Sequence, residues 1–166
     1  QAGDTGYREE STDRFDAHRI RLLMYGTVNK YFDFEFEYSW DRGSAGLRDA
    51  YVDITYFDPV NLQVGFYKPP ISHEDLMDSS NLHLMERSLM NNLVPDRDTG
   101  LMLHGLALNE ILLYQLAMMN GQDVGAVDGD DEIDYLVRVM VTPMAATDNK
   151  WLNKMSIGGN FSWGNR

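Results

Sequence analysis

The fold class predicted by the sequence is all-β: an antiparallel up-and-down transmembrane β-barrel, or a segment of one. Three observations predict it. One run alternates without error between large aromatic and charged residues. Strand-like runs follow one another from end to end, joined by alternately short and longer connections. No apolar run approaches the roughly 20 residues that a membrane-spanning helix needs.

The run is Tyr31 to Trp40. Phe32, Phe34, Phe36, Tyr38 and Trp40 fall on one side of a strand, and Asp33, Glu35, Glu37 and Ser39 on the other. Period two is the side-chain period of a β-strand. Five consecutive large aromatics opposite charges suit hydrocarbon on one side and water on the other.

The remaining elements follow in order. Residues 15–26 read as a strand with Arg19 and Arg21 on one face and Ile20, Leu22 and Met24 on the other. Residues 28–30 form a short connection. After Trp40, the turn-rich 41–46 reads as a loop. Residues 47–57 alternate Ala50, Val52, Ile54 and Tyr56 against Asp49, Tyr51, Asp53 and Thr55. Asp58-Pro59 turns the chain into 60–68, and Pro69-Pro70 stops that strand. Residues 69–98 do not alternate and are too long for an ordinary hairpin loop. A short helix is expected within 79–89. Strands resume at 99–108 and 110–119 around a tight turn near Asn109. After the acidic loop 121–131 come strands 134–142 and 151–162, joined by 143–150. The count is about eight strands.

Composition narrows function. The chain has 166 residues, a net charge of −12 and no Cys. The negative charge speaks against nucleic acid, whose phosphates need a surplus of Lys and Arg. The lack of Cys removes disulfides, thiol catalysis and Cys-ligated metals. No nucleophile–base pair, P-loop or dinucleotide motif is present, so an enzyme is not expected, and no cofactor is implied. Gln1 opens no signal-peptide pattern, so a mature, processed or truncated start is expected. The physical case for a barrel is that hydrocarbon leaves no backbone N–H or C=O a partner outside the protein, and only helices and closed sheets satisfy them all.

Several segments carry a resemblance. Gly65-Phe66-Tyr67-Lys68-Pro69-Pro70 is followed by Leu82-His83-Leu84-Met85-Glu86-Arg87-Ser88-Leu89 and then by Leu93-Val94-Pro95-Asp96-Arg97-Asp98-Thr99-Gly100. With Arg14 to Leu22, Leu47 to Tyr51 and Asn120-Gly121, these resemble the phosphate-selective porin O and P family over roughly residues 14–163. The resemblance implies a homotrimeric porin of about 16 strands in the bacterial outer membrane. This chain would supply about eight of those strands. It also implies that 69–98 is a loop folded into the bore to constrict it, and that Arg and Lys guide small ions or anions such as phosphate. Outer-membrane lipid is the other expected partner. The ending Trp163 to Arg166 lacks the terminal aromatic such barrels usually carry, so a partial chain is expected.

The pore-lining candidates are Arg19, Arg21, Lys68, Arg87, Arg97, Arg138 and Lys154, with the carboxylates Glu35, Glu37 and Asp53. Guanidinium and ammonium groups replace water around an oxyanion without trapping it. Each is also explicable as a solvated charge or half of an ion pair. Asp33, Asp49 and the acidic residues of 69–98 add negative charge to the wet face, and rings of carboxylates favour cations. A general or weakly cation-preferring channel therefore stands beside the anion reading. His73 and His83 lie ten residues apart among carboxylates but match no established metal site, and no metal is expected. Asp128 to Glu132 lacks the ligand order of a calcium loop. His18 and His104 read as structural.

The alternatives are a complete small barrel, a barrel sleeve holding a partner protein, and a soluble β-barrel. The last would leave aromatics in water or charges inside.

Overall fold

The alternating runs form eight strands and one short helix: β1 Arg19–Val28, β2 Phe32–Asp41, β3 Ser44–Phe57, β4 Val60–Tyr67, α1 His73–Leu76, β5 Asp98–Ala107, β6 Leu112–Met119, β7 Asp134–Val141 and β8 Ile157–Trp163. The computed structural model describes residues 19–41, 44–57, 59–77, 87–89, 94–121, 133–145, 147, 149 and 152–164. The strands make one sheet in the order β1 to β8, each antiparallel to its neighbours in sequence. The sheet is open. Among the described residues, β1 pairs only with β2, and β8 only with β7.

The register carries one side-chain row across the whole sheet. Gly26, Phe34, Val52, Val64, Leu101, Met118, Tyr135 and Trp163 are successive partners. None is charged. Val52, Val64, Leu101, Met118 and Tyr135 each keep 40–44% of their surface, so no second layer covers this face. An adjacent row points the other way: Thr27, Asp33, Asp53, Gln63, Met102, Ala117, Leu136 and Ser162. Phe32 and Phe36 are exposed while Glu35 and Glu37 are half-buried on the polar side, the arrangement expected of a sheet between lipid and water.

Local sequence explains the connections. Asn29 and Lys30 have φ of 53° and 63°, the left-handed pair of a tight hairpin turn that Asn tolerates best. Leu108, Asn109 and Glu110 repeat this conformation between β5 and β6. The β2–β3 connection is tighter than expected: Asp41 pairs with Ser44, so the ladder continues through most of the predicted loop 41–46. The ladder then shifts between Glu37 and Tyr38, where Asp49 faces Glu37 and Leu47 faces Tyr38. Arg48 is the extra residue of a β-bulge.

After β4, the chain turns back over the polar face. Pro69 and Pro70 are fully buried. Ile71 packs on a cluster of Tyr67, Met102, Ala117, Met119 and Leu136. The helix after them spans His73–Leu76, with Ser72 as its N-cap accepting from the Asp75 N–H. The helix expected within 79–89 falls almost wholly outside the described residues. The last strand begins at Ile157, after a turn through 152–154, rather than near Trp151.

Candidate functional site

Six cations converge on one pocket of about 440 Å³ on the polar face. Arg19 and Arg21 come from β1, Arg48 from the β3 bulge, Lys68 from the end of β4, Arg87 from the following loop and Arg97 from the approach to β5. Glu35, Glu37 and Asp49 share the lining. Five of the seven predicted cations are thus brought together. Arg138 stands on β7, and Lys154 lies exposed beyond it, near the turn that leads into β8.

Arg48 was missed because alternation alone would send either it or Asp49 into the apolar face. The signal lay in the sequence. Apolar residues occupy odd positions at Ala45 and Leu47 but even positions from Ala50 to Ile54. A slip of phase requires one extra residue, and the bulge turns both Arg48 and Asp49 to the wet side.

Several of the carboxylates on this face are held by these cations. Arg97 grips Asp49 with two parallel bonds, Nε to Oδ1 at 3.1 Å and Nη2 to Oδ2 at 2.9 Å. This fork-to-fork geometry is the strongest form of the pair. Arg21 and Arg48 flank Glu37 Oε1 at 3.4 and 3.3 Å, and Arg19 faces Asp41 at 3.4 Å. Tyr51 donates to Glu35 at 2.8 Å. His104 Nε2 lies 3.0 Å from Asp53. The Nε atoms of Arg48 and Arg87 are buried without an aligned hydrogen-bond partner among the described residues, as are Glu37 Oε1 and Asp41 Oδ1.

Glu35, Glu37 and Asp49 offer oxygens within 4.8 Å of one another, the kind of grouping that can hold a metal ion. The guanidiniums of Arg21, Arg48 and Arg97 stand against it and neutralise Glu37 and Asp49. His83, paired with His73 in the sequence argument, lies outside the described residues, as do Asp128 to Glu132 and His18.

Three residues, Asp75, His73 and Ile71, hold the segment after β4 in place. Asp75, buried, receives Lys68 Nζ at 3.1 Å and Arg87 Nη1 at 3.3 Å. Lys68 also donates to the Asp75 carbonyl at 2.6 Å. Burial pulls the Lys68 ammonium below the usual lysine range, against the opposing pull of its bond to Asp75. His73 Nδ1 accepts from Arg138 Nη2 at 3.0 Å, and Ile71 O accepts from Asn160 Nδ2 on β8.

Glu74 accepts from the Ser88 amide at 3.0 Å and its hydroxyl at 2.6 Å, which holds its carboxyl below the usual range. A lowered carboxyl stabilises the fold above its unfolded value, and the contribution is lost as pH falls through the folded value. The tether is therefore intact at neutral pH. Glu74→Gln is expected to expose the bond after Arg87 to trypsin at pH 8, where the parent resists. Equal cleavage of both proteins would show that the tether does not order this segment.

No curated protein matched the chain. The family described as phosphate-selective porin O and P matches residues 2–166. One uncharged face, an opposite face carrying clustered cations, and a sheet of sequential antiparallel strands are compatible with a porin-type channel. On that match and that geometry, the chain belongs to the phosphate-selective porin O and P family.

Proposed function

We propose that the protein forms an outer-membrane pore for passive diffusion of small hydrophilic ions, with a preference for small oxyanions such as phosphate. The carrying observation is the convergence of six cations from five chain segments on one water-facing pocket. Their nearest carboxylates, Glu37, Asp49 and Asp75, are already engaged by Arg and Lys. By formal count the pocket is close to balanced once Asp41, Asp75 and Asp96 are added to its three lining acids. Donor capacity tips the balance. Each guanidinium has five N–H groups and each carboxylate about four lone-pair sites, so donors remain in slight excess. Donors in excess can replace the water around an oxyanion during passage.

Dimensions support the outer membrane. The aromatic face of β2 runs about 26 Å from Phe32 to Trp40 at about 3.3 Å per residue. A tilt of about 40° reduces this to about 20 Å, near the apolar band of about 25 Å in outer-membrane barrels. Aromatic groups mark both rims. Tyr31, Tyr56 and Phe57 cluster beside the short turns. Tyr38 with Trp40, and Tyr135 with Trp163, mark the other end. No helix of the described residues is long and apolar enough to cross a membrane.

The segment 69–98 acts in this reading as the constriction, since its first part lies on the polar face against Met102, Ala117 and Leu136. The free edges of β1 and β8 are closed by further strands, because open backbone is not tolerated in hydrocarbon. A homotrimer is the assembly this family membership suggests.

Reversal potentials in planar bilayers under a tenfold salt gradient test the preference. Anion-selective current, lowered by millimolar phosphate, is the expected result. Cation-selective current would reject the oxyanion preference, and absence of any conductance would reject the pore.

A further inference from the structure

The contact between α1 and β7 depends on the charge of one imidazole. His73 Nδ1 lies 3.0 Å from Arg138 Nη2. The guanidinium is always charged and has only donors. Nδ1 must therefore supply a lone pair, which only the neutral imidazole has. A protonated His73 would set N–H against N–H and positive charge against positive charge.

Among the described residues, no carboxylate is found bonded to either side chain of that contact. Arg138 is buried at 7% exposure, and its other contact is the neutral Gln115 Oε1 at 3.3 Å. From β8 comes the neutral Asn160, which bonds Ile71 O. On α1 itself, Glu74 is engaged by Ser88 and Asp75 by Lys68 and Arg87.

We propose that His73 is a positioning residue and a pH-operated latch: neutral, it fastens α1 to β7 through Arg138; protonated, it releases that side of the segment. Acidification that charges the imidazole therefore unfastens the latch. The tethers on the other side resist acid further, because the bonds from Ser88 hold the Glu74 carboxyl below its usual range. Residues 71–77 then pivot on Asp75 rather than detaching. If 69–98 narrows the bore, as proposed above, acid alters the size and noise of the open-channel current. That consequence rests on the pore reading; the latch itself does not.

Hydrogen exchange on the folded protein in lipid reads the latch without current. Residues 71–77 are compared at pH 8 and pH 5.5 after correction for intrinsic exchange. The parent is expected to lose about tenfold in protection, the factor implied by losing one hydrogen bond to a charged group. His73→Asn keeps an acceptor near the Nδ1 position and cannot titrate. Its protection is expected to be the same at both pH values, whatever its level. Equal protection of the parent at both pH values, or an equal loss in His73→Asn, would overturn the latch. Either result would leave the pore standing, since bilayer conductance measures that separately.

Discussion

Arg97→Ala is expected to destabilise the folded protein by about 3 kcal/mol, the lower end of the range for removing one partner of a buried ion pair. Both side chains of the Arg97–Asp49 pair are nearly buried, at 11% and 12% exposure, so Asp49 would keep its charge with little water to solvate it. The bond also joins the approach to β5 to the middle of β3, across 48 residues of sequence. Its loss should therefore loosen the end of 69–98 as well as lower stability. Arg97→Lys should recover only part of the loss, because an ammonium cannot meet both oxygens in one plane. Guanidinium unfolding in lipid vesicles measures the stability. A shift of the reversal potential toward cations measures the loss of one cation beside an unmasked carboxylate. A variant as stable as the parent would show that water reaches Asp49 freely and that the pair is incidental.

Gly65→Ala is expected to cost about 2–4 kcal/mol, through strain and overpacking together. Gly65 has φ of 141°, a conformation that side-chain-bearing residues avoid. A Cβ there would strike the Ala50 carbonyl oxygen and come within 2.6 Å of Tyr51 Cα. Both obstacles are backbone of β3 and cannot rotate away. The close approach matters to the site because Tyr51 crosses Gly65 in the ladder while bonding Glu35 and meeting Tyr67 edge-on at 6.1 Å. Moving β3 would displace Tyr51, Asp49 and the bulge together. Unfolding under the same conditions decides the matter: a loss below about 1 kcal/mol would mean that β3 and β4 separate easily there.

Where alternation was strict, the sequence was sufficient. The faces of β2, β7 and β8 follow from period two because one side of each strand must be uncharged and the other need not be. The bulge at Arg48 escaped because two inward residues in succession look like a lapse in the pattern. The pairing of the charges on the wet face was not legible for a different reason. Asp49, Glu37 and Asp75 are evident as charges, but their partners Arg97, Arg48 and Lys68 come from other strands or loops. Only the register and the path of the chain after Pro70 bring them together. The apolar seat of Met102, Ala117, Met119 and Leu136 was hidden in the same way. On a wet face these residues break the polar pattern until Ile71 packs against them.

The account rests on which side of the sheet meets hydrocarbon, and two adjacent residues of β1 test it. Leu22 pairs with Tyr38 on the uncharged side, and Leu23 with Glu37 on the charged side. Their exposures are similar, 46% and 51%, so burial alone does not distinguish them. Guanidinium unfolding of Leu22→Arg and Leu23→Arg in lipid vesicles should give a loss of about 2–4 kcal/mol for the first, the cost of a cation within the bilayer. The second should change by less than about 1 kcal/mol, as a charge facing water beside Glu37. Equal losses, or a larger loss at Leu23, would contradict the assignment of lipid and water to the two faces.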